Sequence, residues 1–140
     1  MRCQSGHAVS LEDIGCQFDP RVGKWEVVCP MSTRRTSLGS AVLDGELYAV
    51  GGRGERRSLN LVEKYDPRTD KWTTIVGMKK RRYGVGVAVV NGKLYAVGGS
   101  DDTTDLDTVE IFDVETNLWN YHSRLNDGRH GAGVGVIQLP

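Results

Sequence analysis

No stretch of this 140-residue chain is apolar for long enough to span a membrane, and no ten-residue segment has convincing helical periodicity. Met1 to Leu11 contains Arg2 but lacks an apolar core of signal-peptide length, so no membrane or secretory role is expected. Only three cysteines occur, Cys3, Cys16 and Cys29, all early in the chain and without close metal-ligand spacing. That odd, sparse set argues against a disulfide scaffold and favours a reduced, cytoplasmic setting. Neither charge dominates: 18 basic residues balance 18 acidic ones. A general polyanion-binding character is thereby excluded, and no nucleic-acid partner is expected.

Chemistry is equally scarce. His7, His122 and His130 are scattered, with no second histidine at ligand spacing, and no glycine loop of phosphate-cradling form appears. Cys16 and Cys29 read as inert thiols. Glu63 and Glu110 recur inside strands, which fits structure better than catalysis. No catalytic residue, cofactor or metal is assigned, and the chain is not expected to be an enzyme.

What the chain has is a repeat. Trp72 lies 47 residues after Trp25 and 47 before Trp119, and Asp19, Asp66 and Asp113 keep that step. So do Phe18, Tyr65 and Phe112, the doublets Gly51-Gly52 and Gly98-Gly99, and Arg35, Arg82 and Arg129. Laying 32–78 on 79–125 gives 18 identities in 47 positions. A period of this size marks an array of small units, none able to bury its apolar face alone.

Each unit reads as four short strands. The first spans Leu38 to Leu43 and again Val85 to Val90; the second spans Leu47 to Val50 and Leu94 to Val97. Asp44-Gly45 and Asn91-Gly92 lie between them, the strongest short-range hairpin signal. The third covers Leu61 to Tyr65 and Thr108 to Phe112, and the fourth begins at Lys71-Trp72 and Leu118-Trp119. Residues 66–70, Asp-Pro-Arg-Thr-Asp, make the intervening turn. The fold class is all-β, built from four-stranded antiparallel sheets.

A four-stranded unit with Gly-Gly after its second strand, and an aromatic residue and Trp on its last two, resembles the kelch repeat of β-propellers. The matching residues are 48–52 (Tyr-Ala-Val-Gly-Gly), 62–66 and Trp72, then 95–99, 109–113 and Trp119. The resemblance implies structural roles for Gly51, Gly52, Tyr65, Trp72, Gly98, Gly99, Phe112 and Trp119. Small residues at Gly39, Ala41, Gly86 and Ala88 suit a crowded axis, while the large rings fill space between diverging sheets. Residues 1–31 then supply the outer two strands of a partial blade, 32–78 and 79–125 are complete repeats, and 126–140 starts another, with Arg129 to Leu139 as its innermost strand. About eleven strands cannot close a ring of roughly four to eight four-stranded blades. The ring is therefore incomplete, and a partial sequence is expected.

Loops leading into the first strand and loops joining the second to the third should share one face, opposite the hairpins at 44–45 and 91–92 and the 66–70 turn. Candidate partner-binding residues on that face are Arg34, Arg35, Arg53, Arg56, Arg57, Arg81, Arg82, Tyr83, Asp101 and Asp102. Residues 53–57 carry three Arg and one Glu, whereas 101–107 carry four Asp and no basic residue. Such a surface selects a partner by complementary charge, and arginine grips carboxylates or phosphates through paired hydrogen bonds. Recurrence favours a structural role for Arg35, Arg82 and Arg129. Arg53, Arg56 and Arg57 do not recur, leaving function and a solvated loop both open. The aspartates, without regular liganding spacing, make a poor calcium site.

By resemblance, ligand peptides would engage Arg53 and the positions of Arg35 and Arg82. The run Met-Ser-Thr-Arg-Arg followed by an Asp-Gly turn and Leu-Tyr-Ala-Val-Gly-Gly looks like the kelch-like substrate adaptors of cullin-3 ubiquitin ligases. That family often carries BTB and BACK domains before a propeller of about six blades. The resemblance implies a protein substrate or peptide as partner, with cullin-3 recruited through domains absent here. The alternatives are an actin-binding, cytoskeleton-associated scaffold and, with less support, a copper-oxidase propeller.

Overall fold

The computed structural model describes residues 15–19 and 21–140, with side chains from Phe18 onward. Met1 to Leu11, Cys3 and His7 lie outside the described residues, as does the Cys16 side chain. Ten strands follow in order: β1 (Gly15–Asp19), β2 (Lys24–Val28), β3 (Gly39–Leu43), β4 (Glu46–Val50), β5 (Val62–Asp66), β6 (Lys71–Ile75), β7 (Gly86–Val90), β8 (Lys93–Val97), β9 (Thr108–Asp113) and β10 (Leu118–Arg124). No helix occurs among the described residues.

The strands form one two-stranded sheet, β1-β2, and two four-stranded sheets, β3 to β6 and β7 to β10, each an antiparallel meander. Boundaries fall within a residue of the sequence reading. Asp44 and Gly45, and Asn91 and Gly92, all have positive φ, the conformation a two-residue hairpin needs to match strand twist. The third and fourth strands of each unit set an aromatic pair directly opposite one another: Phe18 with Trp25, Tyr65 with Trp72 and Phe112 with Trp119. Their ring centroids lie 5.4, 5.2 and 5.2 Å apart.

The core lies between the two full sheets, where Leu43, Tyr48, Val50, Val62 and Met78 meet Val85, Leu94, Phe112 and Trp119. Neighbouring units also share polar contacts at the repeat step. Trp72 Nε1–H donates to the Cys29 carbonyl at 2.7 Å, and Trp119 Nε1–H to the Val76 carbonyl at 3.0 Å. The rings are not buried alike, since Trp119 is buried and Trp72 only half-buried.

The inner strands do approach closely. A Cβ on Gly39 would collide with Val87, and one on Gly86 with Val134. The doublets have a related reason: Gly52 N–H and Gly99 N–H each donate at 2.8 Å to the carbonyls of Arg82 and Arg129 in the following unit. A side chain on Gly51 or Gly98 would strike those same carbonyls.

One expectation is corrected. Arg129 to Leu139 is not a strand, although Gly131 N–H reaches the Gly84 carbonyl at 2.7 Å as Gly84 N–H reaches Ser37. The segment runs beside β7, but no described residue forms a ladder along its other side, and a strand is defined by that ladder.

Candidate partner-binding face

Lead-in loops and the loops after the Gly-Gly doublets meet on one face. Thr36 and Arg53 exchange backbone hydrogen bonds of 3.0 and 2.8 Å, and Tyr83 and Ser100 exchange bonds of 3.0 and 2.9 Å. Arg53 also bridges to Ser58, and Ser100 to Asp105. Each loop is thus fixed at both ends to a rigid sheet, the setting in which recognition residues are usually displayed.

The structure encloses Arg35 and Arg82 and leaves the other arginines of this face exposed. Arg35 is 2% exposed and Arg82 fully buried, so neither lies on the contact surface that the resemblance implied. Their guanidinium groups pair with the equally buried Glu63 and Glu110. Arg35 Nη1–H donates to the carbonyls of Gly51 and Leu61 at 3.0 and 2.8 Å. Arg82 Nη1–H does the same to Gly98 and Thr108 at 2.7 and 2.8 Å. The carboxylates also accept from the lead-in backbone, Glu63 from Ser32 N–H at 2.9 Å and Glu110 from Lys79 N–H at 2.6 Å. Each Arg–Glu pair therefore ties a lead-in loop to the third strand of its own sheet. Burial pushes the Arg35 guanidinium down from its ordinary range while Glu63 pulls it up, and it stays charged. Arg129, third in the series, is exposed.

Arg34 and Arg81, which match at the repeat step, and Arg53, Arg56 and Arg57, which do not recur, are all exposed. Arg53 stands over the Tyr83 ring at 5.4 Å, an attraction of cation for ring face. Tyr83 in turn contacts the His130 ring at 5.7 Å, and His130 Nδ1 lies 2.8 Å from an Asp105 carboxylate oxygen. A row from Arg53 through Tyr83 and His130 to Asp105 thereby links the two complete repeats and the start of the next on this face. Asp105 and His130 gave no sequence signal as a pair; the 47-residue offset between Tyr83 and His130 was the available clue.

Asp101 and Asp102 have local work. Thr103 and Thr104 donate to Asp101 Oδ1, and the Thr103 hydroxyl and both amides hold that carboxyl well below the usual range. Asp102 accepts from Ser58 N–H at 2.6 Å across the gap between units, and that amide, helped by Arg53, lowers its pKa. The acidic loop is thus folded against the basic one. Among the described residues no group of three His, Cys, Asp or Glu is placed to hold a metal ion.

The kelch motif family model matches residues 34–79 and 81–123. Kelch-like protein 26 of Danio rerio is 43% identical over 53 residues, covering 38% of this chain and 9% of its own length. Kelch-like protein 31 of Homo sapiens is 39% identical over 64 residues, covering 46% of this chain and 10% of its own. The matched stretch spans about a tenth of these curated relatives. The solved structure of YjhT superposes with a TM-score of 0.75 at 22% identity, over 84% of this chain and 46% of that one. With two full motif matches on two full four-stranded sheets, the chain belongs to the kelch-motif family, and its sheets are blades of a propeller that these 140 residues leave open.

Proposed function

We propose that the loop face selects a protein substrate for a cullin-3 ubiquitin ligase. The observation that carries this reading is the row Arg53–Tyr83–His130–Asp105, which places differing loops side by side on a repeated scaffold. Strands that match at the repeat step carry loops that do not, so variation is concentrated where a partner would touch. The Kelch-like names of the relatives support the adaptor reading over other propeller roles. The propeller performs no covalent step; it raises the effective concentration of a target near the transferring machinery. A cytoplasmic location accompanies this proposal.

The test is site-specific photo-crosslinking in cells from position 56, on the loop face, and from position 68, on the opposite face. Partners labelled from position 56 and not from 68 should rise in abundance when cullin-3 is depleted. Equal labelling from both positions, or abundances indifferent to cullin-3, would overturn the proposal. Co-sedimentation with filamentous actin through this face would favour the cytoskeletal scaffold instead.

A further inference from the structure

The two joints between sheets are lined alike but filled differently. Val42, Leu47, Tyr65 and Trp72 of the first full blade match Val89, Leu94, Phe112 and Trp119 of the second at the repeat step. Between the full blades these second-blade residues pack into the core, with Leu94, Phe112 and Trp119 buried. Leu43 and Tyr48 of the preceding blade fill that joint; Leu43 is 4% exposed, and the Tyr48 ring lies 6.2 Å from that of Phe112. Ahead of β1 no described residue stands at the Leu43 or Tyr48 register. There the matching side chains, with Val28 and Pro67, line a cavity of about 240 Å³. Trp72, on its wall, is only half-buried where Trp119 is buried.

The side chain that suits this opening is displayed elsewhere on the same chain. Ile137 holds the register of Leu43 two repeats on, and it is 83% exposed. The segment around it keeps the packing of an innermost strand, since Val134 meets Gly86 as Val87 meets Gly39. With Val134 turned to β7, alternation along an extended chain turns Ile137 away from it. Leu43 leaves β3 in that same sense to enter the joint with the next blade. Within one copy two full sheets stand between cavity and tail, so the two meet only between copies.

We propose that a second copy of this chain seats its Ile137 in the cavity of the first, at the place Leu43 fills between full blades. The contact is head-to-tail, joining unlike surfaces, and each copy carries one of each. Joined at both ends, two copies bring together four full sheets and two shared, smaller ones. That number lies within the roughly four to eight blades that close a ring, so association stops at a pair. The driving force is burial of apolar surface that each copy alone leaves in water. The cavity lies beside Gly45 and Pro67, away from the loop face, and the inference is independent of the partner reading above.

Light scattering on the full 140-residue chain and its variants tests the proposal. Wild type should give about twice the 15.4 kDa of one chain, without further growth on concentration. Ile137→Lys, which blocks the tail, and Val42→Lys, which blocks the cavity, should each halve that mass. Both positions are exposed, at 83% and 63%, so circular dichroism should be unchanged. An equimolar mixture of the two variants should regain the mass of a pair, because one intact cavity and one intact tail remain. Val114→Lys, at an exposed apolar position outside both surfaces, should keep the wild-type mass. A mixture that stays monomeric would mean that like surfaces meet, and would overturn the proposal. A wild-type monomer, a mass that keeps rising with concentration, or equal disruption by Val114→Lys would do the same.

Discussion

Arg82 and Arg129 occupy the same register of the repeat, yet only one has its environment. Arg82 is enclosed with Glu110, and each compensates the other's loss of water. Glu110→Ala should cost about 3–5 kcal/mol, because it strands a buried guanidinium. Arg129→Ala, at an exposed position, should stay within about 0.5 kcal/mol. Urea unfolding of both variants measures the contrast, and similar losses would refute the burial assigned to the pair. The tryptophans make a parallel case. Trp119→Ala should cost about 3–5 kcal/mol, as for other buried large-to-small changes. The Trp72 indole is only half-buried, so Trp72→Ala should cost less than Trp119→Ala in the same assay.

At the scale of elements, the joint between the two-stranded sheet and the first full blade is held by a small polar cluster. Asp70 Oδ1 accepts from Tyr65 O–H at 2.8 Å and from Cys29 N–H at 2.9 Å. Burial, then the Asp70 hydrogen bond, pushes the Tyr65 phenol up to about 12, and the Cys29 amide, then Tyr65, holds Asp70 below its ordinary value. The signs follow from linkage. A raised Tyr65 pKa leaves its contribution intact below the ordinary phenol range, near pH 10, and removes it as pH climbs toward 12. A lowered Asp70 pKa makes its contribution present above about pH 4 and lost as pH falls further. Asp70→Asn should therefore flatten part of the acid limb of stability in urea midpoints taken from pH 2 to 7. An unchanged acid limb would count against the cluster.

Over the whole molecule, two properties decide behaviour: an open ring and a face with segregated charge. Ile137 and Leu139 are 83% and 79% exposed on the segment beside β7, and no sheet of the described residues is laid over them. Exposed apolar surface of this kind promotes association. Light scattering should give a mean molar mass above the 15.4 kDa of one chain, reduced by Ile137→Lys with Leu139→Lys. A wild-type monomer would mean that the open edge is covered some other way. On the loop face, Arg53→Ala with Arg56→Ala and Arg57→Ala should weaken an acidic partner roughly tenfold at low salt and less at high salt. Melting should be nearly unchanged, since all three side chains are exposed. Undiminished affinity at low salt would remove them from the site.

Much of this protein could be read from residue order, because its signals are local. Asp44-Gly45 and Asn91-Gly92 specify hairpins through positive φ, and the 47-residue step of Trp and Gly-Gly sets strand count and sheet order. Which loops share a face also follows from antiparallel order alone. The placement of individual side chains does not. Arg35 and Arg53 are both arginines on neighbouring loops, yet one turns inward to Glu63 and the other outward over Tyr83. Glu63 lies 28 residues after Arg35, and Tyr83 lies 30 after Arg53. Periodicity showed that Arg35 recurs; only the packed sheets decided that its charge is buried. The same holds for the segment after Arg129, whose strand-like sequence requires a ladder partner that local propensity cannot provide. Residue order determined the repeated unit, because turns and alternation act between near neighbours. The tertiary structure decided which charges face a partner, because burial depends on residues brought together from different strands and blades.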